Sequence, residues 1–167
     1  MAAGKTHKKN VSKEMLNLID YAGELQGALS ELYDMEEEIR ELTSVPEQAP
    51  EAGEGVTVLS DADRRELALA AASEERLRLA ERAAEGLEML ERAVQGDSAR
   101  DPACGAAAMQ FLAVVKGAAL CVYKATDGMR SRTKAKKLNT AARQTAEKAE
   151  KKAAIVYERV LKGITGL

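Results

Sequence analysis

The sequence predicts an all-α protein, a four-helix bundle made of two long helical hairpins with a buried, alanine-rich third helix. Three observations carry that expectation. Hydrophobic residues make up 46% of the 167 positions, yet aromatics only 3%, too few for the strands of a sandwich or barrel. The apolar set is mostly Ala and Leu, accompanied by Glu, Lys and Arg, which are the residues a helix favours. Apolar positions also recur at steps of three and four over long stretches. A chain of this length amounts to one domain and buries a core without disulfides or metals. Residues 1–11, polar and basic, read as a flexible, disordered arm, and residues 12–167 as a single bundle domain.

The first helix is expected over about 12–44. Ser12 is a plausible N-cap with Glu14 in the first turn. Its stripe runs Met15, Leu18, Ala22, Leu25, Leu29, Leu32 and Ile39, coiled-coil-like apart from a missing beat at Glu36. Its outer face is acidic, with Glu31, Asp34, Glu37, Glu38 and Glu41. Pro46 and Pro50, with two glycines and three glutamates nearby, make 45–59 a linker. Fully extended it reaches roughly 50 Å, enough for a crossover.

The second helix is expected over 60–95. Ser60 and Asp63 resemble a capping box, and the stripe reads Leu67, Ala71, Leu77, Ala80, Ala84, Leu87, Leu90 and Val94. Glu74–Arg78 and Glu88–Arg92 stand at i,i+4, and Gly96 is a stop signal.

Asp101 followed by Pro102 opens the third helix, expected over 101–126. Between Gly105 and Tyr123 only Gln110 and Lys116 are strongly polar, so this helix should be buried nearly all round and sit at the centre. The 19 residues from Gly105 to Tyr123 also match a membrane span in length. Lys116 near the middle is costly in lipid, so a bundle core is expected and a membrane is not. Asp127-Gly128 marks a turn, and Ser131 caps a fourth helix over 131–165. That helix carries the stripe Leu138, Ala142, Ala146, Ala149, Ala153, Val156, Val160 and Ile164. The short connection makes the third and fourth helices an antiparallel hairpin.

The formal net charge of −2 hides an asymmetry. Residues 14–101 carry a net −15 and residues 102–167 a net +9. The favoured expectation is that the two parts neutralise each other within the bundle; the alternative is two patches for different partners.

Function is less legible. The one histidine, His7, lies in the arm, so a Glu-x-x-His di-iron motif, a His/Cys zinc site and a Ser-His-Asp triad each lack a positioned histidine. No catalytic, cofactor-binding or metal residues are assigned, and no enzyme is expected. Cys104, in the first turn of the third helix, has a dipole that favours a thiolate. Cys121 reads as a small core residue, and both are taken as structural. Two cysteines without a framework and no apolar leader point to the cytoplasm.

The favoured function is a protein-interaction module (an assembly subunit, adaptor or chaperone-like bundle) that self-associates or binds a protein partner, with Leu25, Leu29, Leu32 and Ile39 as the interface. The alternative is a nucleic-acid-binding accessory subunit. Its phosphate contacts would be Lys124, Arg130, Arg132, Lys134, Lys136, Lys137 and Arg143, helped by the Lys5, Lys8, Lys9 arm. Aromatic interleaving is missing, so such binding would run through the backbone and depend on salt.

Overall fold

The computed structural model describes residues 13–43 and 60–166. The expected arm over 1–11, with His7 and its lysines, and the linker over 45–59 lie outside the described residues. Four helices follow one another: α1 Lys13–Thr43, α2 Asp61–Ala93, α3 Pro102–Asp127 and α4 Arg132–Thr165, with a 3-10 turn at Gly96–Arg100 between α2 and α3. Each expected helix is present, with bounds within two residues. The architecture is an all-α helical bundle, and no strand occurs among the described residues.

Local chemistry sets the ends. At α2 the Ser60 hydroxyl accepts the Asp63 amide at 3.2 Å and donates to the Asp63 carboxylate at 2.6 Å. The Asp101 carboxylate accepts the Ala103 amide at 2.9 Å, with Pro102 at a position that has no donor to satisfy. The Ser131 hydroxyl caps α4 through the Lys134 amide. Gly96, at φ +57°, turns the chain out of α2.

α3 packs against the other three helices, whereas α1 rests on α2 and α3. Tyr21 on α1 stacks near Phe111 on α3, ring centroids 6.0 Å apart, and Tyr33 reaches Gly117 further along both helices. α1 and α3 therefore run in the same direction. α2 and α4 run the other way, since Gly86 meets Phe111 while Leu69 meets Gly128, and Lys116 meets Glu150 while Gly105 meets Tyr157. Phe111 is the largest fully buried side chain, in a core it shares with Leu25, Leu87, Leu90, Val115 and Val156. A second, smaller cluster fills the other end with Val122, Met129, Leu138 and Ala142.

Two stripes need correction. On α2 the expected Leu67 is 57% exposed, Ala71 is exposed, and Leu77 and Ala84 are half-buried; Ala70, Ser73, Arg76, Leu79, Ala83 and Gly86 take the inner positions. Apolarity alone ranks Leu above Ser, but Ser73 satisfies itself by donating to the Leu69 carbonyl at 2.7 Å. Small side chains on that face also let the helices approach closely. On α4, Leu138 through Val160 are inside as expected apart from half-buried Ala146, and Ile164 is 52% exposed. The packed part of α4 ends at Gly163, which lies against the Ala99 backbone of the 3-10 turn.

A Cβ at position 163 would stand 2.8 Å from the Ala99 carbonyl carbon and closer still to its oxygen. Backbone cannot rotate aside as a side chain does, so Gly163→Ala should destabilise the fold by about 1–3 kcal/mol. Thermal unfolding followed by circular dichroism reads this as a lowered Tm, and an unchanged Tm would mean the turn gives way freely.

Candidate functional site

The seven cations expected to form one phosphate surface are divided by the fold. Arg130 and Lys134 turn toward the acidic start of α2. The Arg130 guanidinium pairs with Asp63, and the Lys134 ammonium with Glu74 at 3.0 Å. The Glu66 carboxylate accepts the backbone amides of Arg130 and Ser131 at 2.7 and 3.0 Å, so α2 caps the entry to α4 from outside. The seam continues as Lys152 pairs with Glu88 and Glu91 at 3.4 and 3.3 Å, and Arg159 donates to the Glu91 carbonyl at 3.0 Å. Neutralisation of the acidic half by the basic half is thus built along the α2–α4 contact. Glu88–Arg92 forms as expected at 3.7 Å. Glu74 reaches across to Lys134 instead of pairing along its own helix.

The seam has a pH signature. The Ser60 hydroxyl and the Arg130 guanidinium hold Asp63 below the usual carboxylate range, and the two amides at the start of α4 do the same for Glu66. A carboxylate with a lowered folded pKa stabilises the native state above its unfolded pKa. That contribution is lost as pH falls through the folded value. Both groups face solvent, so the effect is local and screened by salt. The Arg130 and Ser131 amide resonances should shift as pH drops below the ordinary glutamate range, and Glu66→Gln should abolish the shift. Amides that titrate identically in the variant would contradict this cap.

The remaining cations lie elsewhere. Lys124 is exposed on the last turns of α3. Arg132, Lys136 and Arg143 line a hollow of about 450 Å³ between the end of α3 and the start of α4. Lys137 joins Lys136 in an adjoining hollow of about 420 Å³ on the outer side of α4. Arg143 pairs with Glu147 at 3.1 Å along its own exposed face.

No family model matches the chain, and no curated protein is similar to it.

The apolar stripe of α1 is spent inside the bundle. Leu25 is 2% and Leu29 8% exposed, Leu32 is half-buried against the same core, and Leu29 reaches Gly117 on α3. These residues are core, so as an interface they would require α1 to lift off. The Ile39 side chain lies outside the described residues, as do those of Glu37, Glu38 and Glu41 on the acidic face; Glu31 and Asp34 are exposed.

The apolar surface that does face outward is on α3. Fourteen of its residues are buried, but Ala106, Met109, Ala113 and Leu120 lie along one outer line, with Met109 48% and Leu120 63% exposed. α3 thus departs from the expected burial all round. Among the described residues it is also the one helix long and apolar enough to cross a membrane. Beside that line stands α4, where Tyr157, next to Gly105, is 50% exposed and Leu161 49%. At the other flank Tyr33 is 47% exposed, its hydroxyl over Gly117. The Lys116–Glu150 pair, at 2.9 Å, sits within this surface. Composition pointed to α3 as the core, and nothing in the spacing marked which narrow strip would stay outside.

Cys104 and Cys121 are both free and buried. Burial, with Asp101 adding to it, pushes the Cys104 thiol up, outweighing the helix terminus that favoured a thiolate. Neither thiol should react with an aromatic disulfide reagent until the protein is denatured. Prompt release of one equivalent from the native protein would contradict that. Among the described residues no group of three or more His, Cys, Asp or Glu comes together as a metal cluster would.

Proposed function

We propose that this chain is a non-enzymatic helical-bundle interaction module, an assembly subunit or adaptor that self-associates through the outer face of α3. One observation carries the reading. The most apolar helix of the bundle leaves Ala106, Met109, Ala113 and Leu120 in solvent along one line, which Lys116 interrupts between Ala113 and Leu120. Single exposed leucines are ordinary on a soluble protein, but contiguous apolar surface marks a contact. The small residues Ala106 and Ala113 alternate with the larger Met109 and Leu120, so a second helix can approach closely between them. Tyr157 and Leu161 extend the patch with an aromatic anchor of the kind that interfaces favour.

A second copy is the simplest occupant. A two-fold pair sets the same patch against itself, and an apolar strip flanked by polar residues is self-complementary in that arrangement. The Lys116–Glu150 pair would then be enclosed within each half of the contact and set register, each charge still neutralised by its partner. Apolar contact gives an association that salt does not disrupt. The test is sedimentation of the purified protein over a range of concentrations at low and high salt. A concentration-dependent dimer that persists at high salt supports the reading, and a monomer at every concentration overturns self-association.

A further inference from the structure

We propose that the hollow between the end of α3 and the start of α4 is a binding site for a compact, multiply charged phosphate compound. The cations of the basic block divide into those already held and those left open. Arg130 and Lys134 are held by Asp63 and Glu74 on the α2 side. Arg132, Lys136 and Lys137 are exposed and have no ion-pair or hydrogen-bond partner among the described residues. Arg132, Lys136 and Arg143 follow one another at helical spacing on the face of α4 turned to α3, and so point into the same hollow of about 450 Å³.

Neutral groups between the cations suit phosphate oxygens. Thr140 lines both hollows, and Asn139 stands beside it. The buried Thr126 hydroxyl lies 2.7 Å from the Asn139 side-chain amide and 3.0 Å from the Tyr123 carbonyl, which anchors Asn139 at the edge of the hollow. Arg132 offers a planar fork matched to phosphate, Lys136 a point charge, and Arg143 the guanidinium donors that its pairing with Glu147 leaves over. The first turn of α4 adds the positive end of its dipole. Tyr123 closes one side as an aromatic wall, and Asp127 lies at the α3 end. That carboxylate repels an anion, so the phosphates sit toward Lys136 and Arg143.

The extent of the positive charge favours a small ligand over a nucleic-acid strand. Arg132 to Arg143 spans about 16 Å of helix. The same face then turns acidic at Glu147 and Glu150, each of which already carries a cation of its own, Arg143 and Lys116. A strand needs a longer basic track with bases stacked along it, whereas a chain of two or three linked phosphates fits within the basic part.

The experiment is calorimetric titration of the full chain with inorganic tripolyphosphate, inorganic orthophosphate and a thirty-nucleotide DNA strand, at low salt. The triple variant Arg132→Gln, Lys136→Gln, Arg143→Gln is compared with Lys148→Gln, Lys151→Gln, Lys162→Gln, which removes equal charge from other exposed positions of α4. Tripolyphosphate should bind at one site, at least about tenfold tighter than orthophosphate. The first triple should weaken it about tenfold or more, and the second less than about twofold. Equal losses in the two triples, or no tripolyphosphate binding, would overturn the site. DNA bound more tightly than tripolyphosphate and equally sensitive to the first triple would overturn the compact ligand in favour of a strand. If the first triple fails to fold, Lys136→Gln alone carries the comparison, because Lys136 is exposed and lines both hollows.

Discussion

Phe111→Ala is expected to lower the stability of the bundle by about 3–5 kcal/mol, a large part of the roughly 5–15 kcal/mol that holds a typical domain folded. The chain has one phenylalanine, and its ring is fully buried where α1, α2 and α3 meet, near Tyr21 and directly over Gly86. Alanine would leave a void bounded by helix backbones that cannot close in. The converse change tests the same contact. A Cβ on Gly86 would stand 2.6 Å from the Phe111 ring terminus and closer still to its edge. Gly86→Ala should therefore destabilise by about 1–3 kcal/mol, although alanine is the better helix former. The two positions are coupled, so Gly86→Ala in a Phe111→Leu background should cost less than in the native chain. Chemical denaturation of the four proteins reads the coupling. Strict additivity would mean that Gly86 is not there to receive the ring.

The second large effect concerns assembly. Placing lysines at 109 and 120, as Met109→Lys with Leu120→Lys, puts two charges into the proposed contact while leaving the core untouched, because both side chains are exposed. An unpaired charge held in an apolar interface costs about 3–5 kcal/mol, so the dimer should weaken by roughly a hundredfold or more. The monomer should keep its helicity and Tm at low concentration. Light scattering and circular dichroism together separate the outcomes: loss of mass with intact helix supports the α3 face, and intact mass contradicts it. Leu25→Ala with Leu29→Ala should behave in the opposite way. Both are buried in the core, and their truncation should lower stability by about 2–5 kcal/mol each.

The contrast between those two pairs shows where the sequence was informative. Helices were legible because their signals are local: Ser60, Asp101 and Ser131 each cap a helix, Gly96 turns the chain and Pro102 starts α3. The central position of α3 followed from its composition, since a helix without a polar face needs partners on most sides. The α1 stripe was equally plain, but a stripe says only that a face is covered. It does not distinguish a neighbour in the same chain from one in another, and Leu25 and Leu29 went to the former. On α2 the inner face was misplaced because Ser73 and Arg76 sit inside while Leu67 stays out. That choice depends on how closely three other helices approach, which no window of sequence contains.

The basic block had the same ambiguity. Arg130, Arg132, Lys134 and Lys136 are neighbours in sequence, yet Arg130, in the turn before α4, and Lys134 go to the α2 side while Arg132 and Lys136 go to the α3 side. Residues two apart on a helix face different directions, so the block divides into a seam with α2 and a hollow beside α3. The seam depends on the position of Asp63, Glu66 and Glu74, more than 55 residues earlier in the chain. The overall charge asymmetry hinted at it, but only the parallel course of α2 and α4 brings those partners into register.

In the proposed dimer, α3 presents its outer line to a second copy of the chain. The most direct test is thiol crosslinking with a short bifunctional reagent, comparing Ala113→Cys with Lys151→Cys. Both positions are exposed, Ala113 in the middle of the α3 line and Lys151 on the outside of α4, while the native cysteines are buried. A covalent dimer is expected from Ala113→Cys and monomer from Lys151→Cys under the same conditions. Equal yields from the two, or dimer from Lys151→Cys alone, would contradict it.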